Sequence, residues 1–480
     1  MPNRVLILSA SVGSGHQVAA SALEQAFRQT EGVEVINQDA LALTSDTYRA
    51  IAADAYTILV RESPWLLGWW YDMHDLPFKN AGLFRRAFDL LHAQQLVRFI
   101  KQFDPHISVC THFMPAGIIA QLMSQQEINT SLAIVTTDYD FHGMWLSPTF
   151  NCYFVALEET RAHLITLGIP EQRITVSGIP IHAAFSQPVD RAAVLAHYQL
   201  DPECPLLLIS AGAVGGGPAR EIVLRVMQLQ HDVQAVVICG RNEQLRRDIE
   251  AIVFPLVTKF RVLGYSTDMP GLMRVATLFI GKPGGLTASE CMASGLPMVI
   301  ISPIPGQEER NSNHLLEQGV AVRCNDVATL TFKLDQLLTH PERLQRMRAN
   351  TRHLSRPDAA HMIVQTLLNE HLTPLQISRA QQRSMIEAAR GTVWVERARR
   401  RTTSLIALYH DQTGVLITVI PRQQFRLLRR RMTPSGPATY TLTATMIATL
   451  RQDGLPPDTL HKLEQALTNQ ETITLRRLAV

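Results

Sequence analysis

The sequence predicts an α/β protein of two doubly wound domains followed by a small α+β appendage. Three observations carry that expectation. Short apolar runs bounded by turn residues alternate with helix-like stretches as far as His371, in two successive series. Glycine-rich turns follow the opening run of each series, and another follows a late run of the second. After about Leu375 the texture changes to a basic helix and alternating β-like segments.

The first series of expected strands is Arg4–Ser9, Val33–Asn37, Ile107–Thr111, Leu132–Thr136, Cys152–Leu157 and Ile174–Val176. The second is Leu206–Ala211, Ala235–Cys239, Arg261–Leu263, Thr277–Ile280, Met298–Ile301 and Ala321–Arg323. Apolar β runs separated by helices indicate parallel sheets buried on both faces. The domain boundary is expected near the proline-containing stretch Gly178–Pro188, giving domains 1–180 and 181–374. Within the second, Pro357–His371 reads as a helix that packs back on the first. The appendage, 375–480, is expected to hold a basic helix Gln376–Arg390 and β segments Thr392–Val395, Ser404–Tyr409 and Val415–Ile420. An arginine cluster, Arg426–Arg431, and a terminal helix plus strand complete it.

A chain of 480 residues is too long for one ordinary core. With 46% hydrophobic and 18% charged residues it is globular rather than disordered. Residues 375–480 hold 16 Lys or Arg against 7 Asp or Glu, so of the net +3 the tail carries +9 and the rest −6. Such a tail suits an anionic partner, phospholipid or nucleic acid, or is a solvated basic face. The six cysteines are scattered without metal-ligand spacing and read as reduced core residues. The N-terminus lacks a signal-peptide layout, and no run of 18 apolar residues occurs, so a cytoplasmic protein is expected.

The first glycine turn, Ser9-Ala10-Ser11-Val12-Gly13-Ser14-Gly15-His16, runs directly into a helix. Such turns let a backbone approach its ligand and aim helix N-terminal N–H groups at it. The turn lacks the third glycine of a dinucleotide fingerprint and the Lys-Ser/Thr of a P-loop. A lone histidine is more often structural than functional, but His16 opens a helix at a strand's carboxyl end, where open α/β sheets bind ligands. The second turn, Ser210 to Arg220, includes Gly212, Gly215, Gly216 and Gly217; its bare amides suit a diphosphate, and a plain flexible connection is the other reading. The third, Gly281-Lys282-Pro283-Gly284-Gly285-Leu286-Thr287-Ala288-Ser289-Glu290, offers N–H groups for phosphate and a carboxylate for ribose hydroxyls. Gln307 and Glu308, after Gly306, are placed to grip sugar hydroxyls.

ILSASVGSGHQVAA, VTTDYDFHGMW, YFVALEETRAHLITLGIPEQRITVSGIPI, GKPGGLTASE and GLPMVIISPIPGQEERN together resemble the monogalactosyldiacylglycerol synthase and processive diacylglycerol glucosyltransferase family. The resemblance runs in order from Arg4 to His371. More distantly the chain is similar to the N-acetylglucosaminyltransferase that completes the peptidoglycan lipid intermediate. It implies a GT-B fold, with two Rossmann-like domains facing across a cleft. It also implies inverting transfer of a hexose from UDP-glucose or UDP-galactose to 1,2-diacylglycerol, with no catalytic metal or other cofactor. His16 is then the expected general base, and Asp138 joins it as a catalytic residue. Glu290 would bind ribose, Gln307 and Glu308 the donor hexose, and Gly212, Gly215, Gly216, Gly284, Gly285 and Thr287 the pyrophosphate, with Asn311 also among the donor-binding residues. Gly15 and His142 would lie on the acceptor side. Where plant-like members continue with a longer Cys- and Pro-containing stretch, this chain has FHGMW.

Three of the five tryptophans, Trp65, Trp69 and Trp70, cluster near Arg85 and Arg86. Aromatics interleaved with basic residues describe a surface at lipid-headgroup depth or a Trp-rich loop over a core helix pair, and the resemblance favours the former. The expected partners are UDP-hexose, diacylglycerol and anionic lipids at the cytoplasmic membrane face, with no nucleic acid. The rival expectations are a GT-B transferase for a polyprenyl-linked or lipid A-type acceptor, and a non-catalytic nucleotide-sugar sensor.

Overall fold

The computed structural model describes residues 2–45, 92–213, 215, 217–256, 258–370, 372–387, 389, 405–413, 416–436, 439–453, 455, 457–468 and 471–479. Between 46 and 91 it describes Arg49, Gly68, Tyr71, Asp72, Asp75, Pro77 and Phe78. The chain forms two compact units, Met1–Ile386 and Glu387–Val480.

The first unit opens with a six-stranded parallel sheet in the order β2-β1-β3-β4-β6-β7. Its strands are β1 (Asn3–Ser9), β2 (Val33–Asp39), β3 (Ile107–Cys110), β4 (Ser131–Val135), β6 (Cys152–Val155) and β7 (Ile174–Val176), while β5 (Thr149–Phe150) pairs elsewhere. Helices α1 (Gly15–Arg28), α2 (Gln94–Phe103), α3 (Phe113–Ser124) and α4 (Glu158–Thr166) flank it. Val5, Leu6, Ile7 and Leu8 are all fully buried, as a central parallel strand covered on both faces requires. On α1, Ala20, Leu23, Ala26 and Phe27 recur at helical spacing and face the sheet core.

The second sheet repeats the design as β10-β9-β8-β11-β12-β13, again all parallel. It contains β8 (Leu206–Ser210), β9 (Gln234–Ile238), β10 (Phe260–Leu263), β11 (Leu278–Gly281), β12 (Met298–Ile301) and β13 (Ala321–Cys324). Around it lie α5 (Arg191–His197), α6 (Ala219–Val226), α7 (Glu243–Val253), α8 (Met269–Val275), α9 (Gly285–Ala293), α10 (Gln307–Glu317), α11 (Leu330–Thr339) and α12 (Pro341–Leu354). All twelve expected strands occur, each ending within two residues of the expected position. Strand order reverses direction between β1 and β3 and between β8 and β11. The crevice outside the carboxyl ends of such a pair is where open α/β sheets bind ligands.

After α12 the chain returns to the first sheet. Helix α13 (Ala359–Asn369) buries Ala360, Ile363, Val364 and Leu367 in one core with Val5, Leu23 and Phe27. Beyond it β14 (Leu375–Gln376) pairs antiparallel with β5, and Ile377 N donates to Pro148 O at 2.8 Å. The expected start of the appendage at Leu375 therefore moves to Glu387, because this strand belongs to the first unit. Helical backbone spans 379–387, so the basic helix begins after the β pairing rather than at Gln376.

The second unit is a five-stranded antiparallel sheet, β16-β15-β19-β18-β17, among the described residues. It comprises β15 (Leu405–His410), β16 (Leu416–Pro421), α14 (Arg422–Arg431), β17 (Thr433–Pro434), β18 (Thr439–Thr443), α15 (Ala444–Gln452), α16 (Pro457–Ala466) and β19 (Thr472–Ala479). Leu408, Phe425, Leu428, Leu442, Leu463 and Leu475 share its core. On α14, Arg426, Arg429 and Arg430 face solvent, whereas Arg431 pairs with Asp453 at 2.7 Å. The expected strand Thr392–Val395 lies outside the described residues. No helix among the described residues is long and apolar enough to cross a membrane.

The two chain passages between the sheets meet at Gly178, whose φ is +85° and where a Cβ would overlap the Arg356 side chain. Gly178→Ala is expected to cost about 1–3 kcal/mol through backbone strain and that overlap. Chemical denaturation measures it, and unchanged stability would show that the passage relaxes freely.

Candidate active site at the facing switch points

The loop after β1 brings His16 to the first switch point, beside Thr111 and His112 at the end of β3. His16 Nδ1 lies 2.9 Å from the Thr111 carbonyl oxygen and 2.9 Å from Thr137 Oγ1, and the Thr111 hydroxyl donates to His16 O at 2.9 Å. A carbonyl only accepts, so Nδ1 carries the proton and the Nε2 lone pair is left as a base. Burial lowers the imidazole's pKa, opposed by the Asp138 carboxylate and the Thr111 hydrogen bond. The ring is thereby kept neutral and able to accept a proton. His112 stacks edge-on against it at 4.7 Å. Its own Nδ1 accepts from Met114 N at 3.1 Å, capping α3.

Asp138, one residue past Thr137, is 5% exposed. Two amides from α10 of the second domain cover it: Gln307 Nε2 donates to Oδ2 at 2.5 Å and Asn311 Nδ2 to Oδ1 at 3.1 Å. Burial raises the Asp138 pKa, and these two donors and His16 oppose the shift. Asn311 Oδ1 accepts Tyr139 N at 3.1 Å, and the Tyr139 hydroxyl donates to Ser289 Oγ, 2.8 Å away on α9. Asn311, expected among the donor-binding residues, is fully buried in the ligand-free chain, and both its amide atoms bond across the domains. Gln307 likewise meets Asp138 across the cleft. His142 also faces inward: Nδ1 accepts Met144 N at 3.1 Å, so Nε2 donates to Tyr71 O at 2.9 Å.

Opposite His16 stands the second switch point. Gly285 opens α9 so close to Thr137 that a Cβ there would overlap the Thr137 carbonyl. Gly284 caps α9 without a side-chain bond, leaving the first-turn amides unpaired by any cap side chain. From the β8 end, Gly212 and Gly217 adopt φ of +80° and +90°, and Gly217 comes within van der Waals reach of the Lys282 stem. Gly215, at +66°, is pinned by Asn242 Nδ2 donating to its carbonyl at 3.0 Å, and Gly216 lies outside the described residues. Glu308 Oε2 accepts Ile304 N at 2.6 Å, fixing the turn that starts α10. Thr287 is partly buried on the first turn of α9. Glu290, on the same helix, has no hydrogen-bond partner among the described residues, and burial pushes its carboxyl up to about 8.

The structure thus brings His16, Asp138, Gly15, Gly284, Gly285, Gln307 and Glu308 to one cleft. Trp65, Trp69, Trp70, Arg85 and Arg86 lie outside the described residues. Thr137, His112, Lys282 and Arg310 were not anticipated. Lys282 was readable, since it stands inside the third glycine turn. Thr137 was not, because its significance comes from a histidine 121 residues away.

Residues 16–181 match the family described as Monogalactosyldiacylglycerol (MGDG) synthase, and residues 216–354 that described as Glycosyl transferases group 1. The chain is 31% identical over 380 residues to processive diacylglycerol beta-glucosyltransferases of Bacillus cereus (strain 03BB102) and Bacillus thuringiensis (strain Al Hakam), spanning 78% of this chain and 96% of each relative. Its fold is that of Acinetobacter baumannii MurG, at TM-score 0.51 and 19% identity over 77% of this chain and 100% of that one. It is likewise similar to the Neisseria meningitidis UDP-GlcNAc 2-epimerase bound to UDP-GlcNAc, at TM-score 0.52 and 13% identity over 76% and 100% of the two chains. At these identities the solved structures establish the two-domain GT-B architecture.

The raised Glu290 pKa gives a stability test. The folded chain keeps this proton up to about pH 8, whereas the unfolded chain loses it near 4.5, so stability falls as pH rises between those values. Glu290→Gln is expected to raise the melting temperature of the ligand-free protein more at about pH 8.5 than at about pH 5. Equal shifts at both would mean that the carboxyl titrates normally.

Proposed function

The chain belongs to the family of diacylglycerol glycosyltransferases that includes the monogalactosyldiacylglycerol synthases and the processive diacylglycerol β-glucosyltransferases, and from that premise we propose that it transfers glucose or galactose from a UDP-sugar to diacylglycerol with inversion. The observation that carries this reading is His16, its Nδ1 proton committed to Thr111 and its Nε2 left to accept, on a loop whose Gly15 lies so near the first turn of α9 that a Cβ there would touch Leu286. A glycerol hydroxyl is a poor nucleophile. Nε2 accepts its proton as the oxygen attacks the anomeric carbon from the face opposite the leaving group. The bond from that carbon to the diphosphate breaks in the same step, UDP departs, and the configuration inverts.

The second domain supplies what the donor needs. First-turn amides of α9, the glycine loop 212–217 and Lys282 face the diphosphate and stabilise the charge that develops on it. That set serves in place of a divalent cation, so no catalytic metal is part of this proposal. A partly buried carboxylate with no donor of its own, Glu290, is suited to the paired hydroxyls of ribose. Gln307 and Glu308 meet the hexose, with Gln307 exchanging its bond to Asp138 for one to a sugar hydroxyl.

Diacylglycerol resides in a bilayer, so the enzyme works at a membrane face, and among the described residues no helix is long and apolar enough to span it. Trp65, Trp69, Trp70, Arg85 and Arg86 are proposed as the interfacial contact of the first domain. The exposed arginines of α14 add electrostatic attraction to anionic lipid, each worth about 1 kcal/mol near the surface and screened by salt.

His16→Ala, assayed in EDTA with UDP-hexose and diacylglycerol, is expected to lose about 10²–10⁴-fold in rate while binding UDP normally. Wild-type turnover should persist in the chelator; a variant as active as wild type would remove His16 from the chemistry. Deleting 387–480 is expected to leave UDP affinity intact and to weaken binding to phosphatidylglycerol vesicles but not to phosphatidylcholine vesicles. Undiminished binding to the anionic vesicles would assign the basic unit to another partner.

A further inference from the structure

The first turns of α10 carry more than the residues facing the donor. Arg310, with its side chain 26% exposed, sends its guanidinium away from the sugar side into a cluster of carboxylates. One terminal nitrogen donates to Asp140 Oδ2 at 2.8 Å. The other donates to Asp75 Oδ2 at 2.8 Å and lies 3.4 Å from Asp72 Oδ1. Its Cζ stands 5.3 Å from the centre of the Tyr71 ring. A planar guanidinium can hold several acceptors and stack on an aromatic face at once, which an ammonium cannot.

The partners come from two remote stretches of the first domain. Asp140 follows Asp138 and Tyr139 in the loop that α10 covers, whereas Tyr71, Asp72 and Asp75 belong to the aromatic segment preceding α2. These stretches are bonded to each other as well. Asp75 Oδ1 accepts Gly143 N at 2.9 Å, and Tyr71 O accepts from His142 Nε2. His142 is neutral, with Nδ1 an acceptor, so it supplies no cation here, and Arg310 is held between Asp75 and Asp140. Without the guanidinium those two carboxylates would be left close together in a partly buried site, where repulsion is strong.

We propose that Arg310 is a positioning residue that fastens Tyr71, Asp75 and the loop 140–143 to the helix carrying Gln307 and Glu308, so that the lipid-acceptor side of the cleft is complete only when α10 is seated on Asp138. This rests on the function proposed above. It joins acceptor recognition to the donor domain through a residue that touches neither substrate. Gln307 and Arg310 share one helix, so a donor sugar that engages Gln307 acts on the element that also grips the acceptor side.

The test uses full-length Arg310→Ala and Arg310→Lys. The first is expected to raise KM for detergent-solubilised dioleoylglycerol about tenfold or more, with Kd for UDP changed less than about twofold. Arg310→Lys should fall between wild type and Arg310→Ala, because a point charge replaces one arm of the fork but not the stack. Amide hydrogen exchange at 71–75 and 140–143 should quicken in Arg310→Ala while the β8–β13 sheet stays protected. Unchanged KM together with unchanged exchange would overturn the proposal, as would loss of UDP binding in step with the rate. If the wild type fails to glycosylate dioleoylglycerol, the functional reading falls, and the exchange at 71–75 still decides whether Arg310 tethers that segment.

Discussion

The Asp138 carboxylate is the constraint around which the cleft is assembled. It is buried, so it must be met by donors, and those donors come from the other domain: Gln307 and Asn311 of α10. Its neighbours extend the same junction. Thr137 orients His16 on one side and abuts Gly285 through its carbonyl, while Tyr139 reaches Ser289 and Asn311. Three consecutive residues beyond the end of one strand thus fix His16 and two helices of the second domain, α9 and α10. Removing one partner of a buried charge is costly, since the other is left uncompensated, so this junction behaves as a unit.

That unit explains a tension in the site. Gln307, proposed to meet the sugar, hydrogen-bonds Asp138, and Asn311 engages Asp138 and Tyr139 through its two amide atoms. The polar groups that serve a ligand when it is bound satisfy one another when it is not, which avoids leaving buried donors and acceptors unpaired. Glu290 differs: it makes no hydrogen bond among the described residues, and burial pushes its carboxyl pKa up to about 8.

Much of the fold was legible because parallel strands buried on both faces write themselves as unbroken apolar runs, as in Val5–Leu8, and because glycine turns mark where strands give way to helices. The second domain's ligand-facing helices were readable for the same reason. The shortest pairing, β5 with β14, was not, since two-residue strands carry no period. Its absence from the reading placed the start of the basic unit twelve residues early. Asn311 was read with the donor-binding segment around Gln307 and Glu308, and only the distance to Asp138 reveals its bond across the domains. The Arg310 cluster was invisible for a deeper reason: its partners stand 170 and 235 residues away, and no local pattern relates them.

Gly178 has a mechanical consequence. The chain leaves the first domain beside that glycine and returns beside Arg356, so the two covalent passages run side by side at a single edge. Two bodies joined along one edge share an axis and can swing about it without stretching either passage. Noncovalent contacts, from Thr137 to Gly285 and from Asp138 to Asn311, are then the clasp. Substrate exchange becomes a matter of unfastening that clasp rather than of bending either sheet.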